Sequence, residues 1–180
     1  MDEAMRTHAN RLFCFGLGFS SLALAESLLP KGWHVSGTCR GSDRQDAIKV
    51  NNTFLFDGSC ATPEISKAIS SATHLLITIP PQLSGDVVLE NFSEEISKAS
   101  HLQWIGYISS TGVYGDAQGE WVDESSPLRG STDLNRRRVE AESAWLKLGQ
   151  DHGLPVMIFR CVCIYGPGRN LLVSVQQGRA

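Results

Sequence analysis

The chain has 180 residues, 42% of them hydrophobic and 19% charged, the composition of a globular domain that buries roughly two thirds of the surface its unfolded chain exposes. Such a core needs neither disulfides nor a metal to assemble. With 16 basic and 19 acidic residues the formal charge is −3, which excludes the basic excess of a general nucleic-acid binder, and no apolar run reaches the ~20 residues of a membrane span.

The polar start MDEAMRTHANR lacks the apolar centre of a secretory signal, so a soluble, cytoplasmic protein without nucleic-acid or membrane partners is expected. In chain order, β-rich runs occupy Leu12–Phe15, Trp33–Cys39, Thr53–Phe56, His74–Ile79, Trp104–Ser109 and Pro155–Ile164. Between them, helical spacing covers Ser20–Leu29, Asp43–Lys49, Pro63–Ser70, Asp86–Ser97 and Thr132–Gln150, the first with Leu22, Ala25, Leu28 and Leu29 toward a core. Parallel neighbours need crossovers and the crossovers are right-handed, so this alternation predicts an α/β, doubly wound parallel sheet of about six strands over residues 1–180, a Rossmann fold. Cys14, Cys39, Cys161 and Cys163 lie in apolar strand-like runs and read as reduced core thiols, and no ligand spacing points to a metal. The one long irregular segment, Gly112–Ser131, follows the fifth strand, on the carboxyl edge where open α/β sheets bind ligands.

The first strand runs into Gly16-Leu17-Gly18-Phe19-Ser20-Ser21, a dinucleotide-binding turn with serine in the third small position. Gly16 permits a tight turn, Gly18 lets the backbone approach a pyrophosphate, and the helix beginning at Phe19 and Ser20 offers unpaired N–H groups to the anion. Ser21 stands where a small residue lets helix and strand pack closely. Past the second strand no acid occurs before Asp43 to take an adenosine ribose hydroxyl, whereas Arg40 is placed to clamp a 2′-phosphate. NADP is therefore expected over NAD, against the plainer reading of Arg40 and Arg44 as solvated loop charges. Asp57, ending the third strand, either meets the adenine edge or caps a turn.

At Tyr107-Ile108-Ser109-Ser110-Thr111-Gly112-Val113-Tyr114-Gly115 the chain resembles the extended short-chain dehydrogenase/reductase superfamily, the NAD-dependent epimerase/dehydratase group. The likeness extends through the GLGFSS turn, the SSTGVYG segment, the acidic WVDESSPL stretch and the RCVCIYGPGRN ending of the sixth strand. It implies that Ser110 sits beside the reacting carbon of a substrate, where a hydroxyl stabilises charge developing on oxygen. The other reading of Ser110 is a strand-end serine satisfying its own backbone.

The resemblance also implies a tyrosine and a lysine four residues apart on the next helix, and here those places hold Leu134 and Arg138. Leucine carries no proton. Arg138 either holds the nicotinamide ribose or joins Arg136 and Arg137 on a solvated face, with Arg136–Glu140 and Arg138–Glu142 at ion-pair spacing. This departure is similar to the atypical branch of the superfamily. Extended members continue for ~100 residues or more past the YGPGR turn with a substrate-binding half, so a chain lacking that half is expected, with Val156, Ile158, Phe159, Val162 and Ile164 near an unprotected edge open to self-association. Two functions follow as expectations: NADP-dependent oxidoreductase or epimerase chemistry on a small carbonyl or sugar-nucleotide substrate, or an NADP(H)-binding sensor or regulatory module without chemistry.

Overall fold

Runs of β-branched, aromatic and leucine side chains in the sequence become six parallel strands in the computed structural model, which describes residues 10–45 and 48–178 but not the side chains of Asp43 and Arg44. The strands are β1 (Arg11–Phe15), β2 (His34–Cys39), β3 (Asn52–Leu55), β4 (His74–Ile77), β5 (Trp104–Ser110) and β6 (Val156–Cys161). Their order across the sheet is β3-β2-β1-β4-β5-β6, so the chain winds outward from β1 in one direction and from β4 in the other. The crevice between β1 and β4 is the topological switch point of such a sheet.

Period-two alternation sends Phe13, Phe15, Leu75, Ile77, Ile105 and Tyr107 to one face, where helices α3 (Pro63–Ser71), α4 (Val87–Lys98) and α5 (Asp133–His152) cover them. Leu12, Cys14, Val35 and Leu76 face the other way and pack on α1 (Phe19–Leu28). Gly37, paired with Cys14, is bare because a Cβ there would lie 2.3 Å from the Cys14 carbonyl oxygen. On the α1 face Trp33, His74, Trp104 and Phe159 form an aromatic row, neighbouring centroids 4.7, 6.3 and 5.9 Å apart. Gly106 keeps that row flat, since its missing Cβ would lie 2.1 Å from the Trp104 ring.

The helices begin at residues chosen for the purpose. Asp86 caps α4 by accepting from Val88 N and Leu89 N, and Thr132 caps α5 by accepting from Asn135 N. Gly153, at φ 67, closes α5 in the left-handed conformation.

Several expectations are corrected. The helix expected over Asp43–Lys49 is one turn, α2 (Ser42–Gln45); residues 46 and 47 lie outside the described residues, as does most of the polar start, and Ile48 and Lys49 are not helical. The sixth strand stops at Cys161, because its last residues leave the sheet for the YGPGR turn, and a short helix α6 (Leu171–Gln176) follows that the periodicity did not reveal. Cys14 and Cys39 are core residues, but Cys161 is half-buried and Cys163 exposed, since no described helix covers that part of the α1 face. On edge strand β6, Val156 and Ile158 pack on the core, and the apolar side chains open to solvent are Met157, Phe159 and, just beyond, Val162. No described helix is long and apolar enough to cross a membrane.

Candidate functional site

The carboxyl ends of β1, β2 and β4 enclose a glycine turn fastened from both neighbouring strands. Thr38 of β2 accepts from Gly16 N through its hydroxyl at 2.9 Å and from Leu17 N through its carbonyl at 2.7 Å. From the β4 side, the Thr78 hydroxyl donates to Gly16 O at 2.8 Å. Ser21 donates to the same oxygen at 2.7 Å and is fully buried. Its hydroxyl therefore joins helix to strand, and the residue lies beneath the turn without lining either cleft described below.

The two glycines of the turn differ in what they owe to the fold. Gly16 sits at φ 96, and a Cβ there would lie 2.6 Å from the Thr78 hydroxyl, so packing alone demands glycine. Gly18 sits at φ −97, which any residue adopts, and a Cβ on it would meet nothing within 4 Å. Its bareness serves the open space in front of it. Gly18 is also the N-cap of α1 and supplies no side-chain cap, and the first turn of α1 holds no acid, so the leading N–H groups stay available to an anion.

Two clefts flank this turn and share Gly18, Thr78 and Pro80. The first, about 480 Å³, is lined by the glycine turn, Arg40 and Asp57. Arg40 is exposed just past β2. The Asp57 carboxylate caps a turn, one oxygen accepting from Ser59 N at 2.9 Å and Ser59 Oγ at 2.6 Å, and the residue lines the cleft. Those Ser59 bonds hold its pKa below the usual carboxylate value.

The second cleft, about 740 Å³, brings together Phe19, Ser20, Ser110 and Arg138 with residues that sequence reasoning did not assign to the site: Ser109, Tyr165 and Arg169, and Cys161 and Cys163, which it read as core thiols. Ser110 Oγ accepts from Gly112 N at 3.1 Å, so its own hydrogen is not spent on that bond. Ser109 is buried and its Oγ has no partner. Strand register could have found Cys161, which pairs directly with Ser110. Arg138 donates to Ile108 O at 3.3 Å, at the end of β5. The expected Arg138–Glu142 and Arg136–Glu140 pairs do not form. Arg136 bonds Asp133 instead, and Glu142, 1% exposed, is claimed by Arg160 of β6, because it points into the core where only a strand residue reaches it. Leu134, in the tyrosine place, is 46% exposed and lines neither cleft.

No protein-family profile matches the chain. It is 33% identical over 169 residues to protein YeeZ of Escherichia coli K12, an alignment covering 86% of this chain and 59% of that protein. Among solved structures, a conserved protein of unknown function from Silicibacter pomeroyi superposes with TM-score 0.79 at 37% identity, covering 90% of this chain and 56% of the other. A protein from Methylobacillus flagellatus described as an NAD-dependent epimerase/dehydratase superposes with TM-score 0.72 at 26% identity, covering 95% and 59%. The chain thus spans under three fifths of the length of these relatives.

Proposed function

We propose that this chain, which carries the NAD(P)-binding fold of the extended short-chain dehydrogenase/reductase superfamily, holds NADP(H) across the β1/β4 crevice. In this reading it forms the cofactor-binding part of an oxidoreductase or epimerase acting on a small carbonyl or sugar-nucleotide compound. The observation that carries the reading is Gly18: glycine where neither backbone angle nor packing requires it, facing open space at an uncapped helix start. A passing backbone-to-phosphate contact is the physical reason for that choice.

In this reading the pyrophosphate lies on the N–H groups of Gly18, Phe19 and Ser20, with Gly16 and Ser21 fixing the turn beneath it. The adenosine half extends into the first cleft, where Arg40 takes the 2′-phosphate and the free Asp57 oxygen faces the adenine edge. The nicotinamide half enters the second cleft, and when bound it supplies the hydride donor or acceptor. Ser110 then donates its free hydrogen to a substrate oxygen. Arg138, too basic to shuttle a proton, orients ribose or substrate.

Calorimetric titration tests the cofactor half. NADPH is expected to bind more tightly than NADH, and Arg40→Ala to abolish the preference. Equal or tighter NADH binding removes the role of Arg40. For turnover in a full-length relative-sized protein, Ser110→Ala is expected to lower kcat by ~10-fold, about 1.4 kcal/mol of transition-state stabilisation. A second reading, an NADP(H)-binding module without chemistry, is favoured by the exposed Leu134 in the place of the proton-carrying tyrosine. Under that reading NADPH binds as above but no carbonyl compound oxidises it.

A further inference from the structure

The second cleft has an electrostatic character that the chain as a whole lacks. Its lining includes two arginines, Arg138 from α5 and Arg169 from the turn after β6, and no aspartate or glutamate, in a protein whose formal charge is −3. Neither arginine has a carboxylate within 4.0 Å among the described residues. Elsewhere the chain does supply acids to arginines: Arg160 has Glu142 and Arg136 has Asp133.

Arg169 is held in place as well as unpaired. Its guanidinium lies over the Phe19 ring, 5.4 Å from the centroid, and its backbone is pinned by reciprocal bonds with Gly166 at 2.7 and 2.9 Å. Stacking on one face of a guanidinium leaves its edge donors free for a planar or tetrahedral oxyanion. Arg138 spends one donor on Ile108 O and keeps the rest. Ser110 lies in the same lining.

We propose that the compound handled in this cleft carries an oxyanion, a carboxylate or phosphate, which Arg169 and Arg138 clamp while its carbonyl or hydroxyl meets Ser110. Neutral carbonyl compounds are poor ligands of such a cleft. The assignment deepens the cofactor reading given above and rests on it for the position of Ser110.

The test is a magnetic-resonance titration of the 180-residue chain, with and without saturating NADPH, using malonate, inorganic phosphate and neutral malonamide as probes. One or both anions are expected to bind with malonamide silent, the better anion distinguishing a carboxylate ligand from a phosphate one. Arg169→Gln should weaken that binding about tenfold, the loss of one charge-assisted forked contact, with Arg169→Lys recovering part of it and NADPH affinity kept within about twofold. Malonamide binding as well as malonate overturns the proposal. So does anion binding indifferent to Arg169→Gln, or an equal loss of NADPH affinity in that variant, which would give the arginine to the cofactor. If NADPH does not bind, the cofactor reading falls alone: anion binding by the free chain, lost in Arg169→Gln, still sustains the clamp, and no anion binding overturns it.

Discussion

The guanidinium of Arg160 lies 5.0 Å from the centroid of the Tyr114 ring and donates to the Tyr114 hydroxyl at 2.9 Å. The same side chain pairs with buried Glu142 and reaches Glu124 O at 3.3 Å, so one arginine of β6 joins α5, the turn after β5 and the long loop beyond it. Arg160→Met strands the Glu142 charge and should cost about 3 kcal/mol or more in urea unfolding. The double variant Arg160→Met with Glu142→Leu should recover much of that, while the loop over residues 115–131 becomes a faster protease target in both.

The glycine turn separates folding from binding. Gly16→Ala should lower stability by about 2 kcal/mol through its left-handed angle and the Thr78 contact. Gly18→Ala should stay within about 1 kcal/mol of the parent in stability while NADPH binding is lost in calorimetry. Similar stability losses in the two variants would mean that Gly18 is also structural.

Asp86 couples stability to pH. Burial raises its carboxyl above the usual carboxylate value, outweighing the bonds from Leu89 N, Trp145 and Val88 N that lower it. The folded state therefore holds the proton more tightly than the unfolded one, so this stabilisation is full below the unfolded value and lost as pH rises through the raised folded one. Asp86→Ala removes an N-cap worth about 1 kcal/mol and strands the Trp145 N–H. Thermal melts from about pH 4 to about pH 7 should show the gap between parent and variant narrowing as pH rises.

The cysteines should sort by exposure. Burial pushes the Cys14 thiol up to about 12, leaving almost no thiolate near pH 8. A thiol-disulfide reagent should modify Cys60 and Cys163 fast, Cys161 more slowly, and Cys14 and Cys39 only on unfolding.

Edge strand β6, with Met157 and Phe159 open to solvent, should make the 180-residue chain associate as its concentration rises in light scattering. Met157→Lys with Phe159→Lys should suppress this. A parent that stays monomeric at every concentration would show the edge to be protected.

Alternation of strand and helix patterns made the parallel sheet and the glycine turn legible in the sequence, because each rests on local signals. What escaped depends on contacts distant in the chain. The spacing of Arg138 and Glu142 was right for a helix pair, yet spacing is blind to which helix face is buried, and Glu142 went to Arg160. Cys161 and Cys163 sat in an apolar run like any core strand, but hydrophobicity could not say that no described helix covers this corner of the sheet. Arg169 follows a non-periodic turn, and only folding returns it to Phe19.

The bonds from Thr38 and Thr78 onto the glycine turn mean that the turn has no private melting transition. Freeing the Leu17 amide from the Thr38 carbonyl requires parting the turn from β2, an interior strand of the sheet. Its hydrogen-exchange protection should therefore match that of the central strands and report global unfolding, while the amides at the start of α1, which the fold leaves uncapped, exchange freely until an anion covers them.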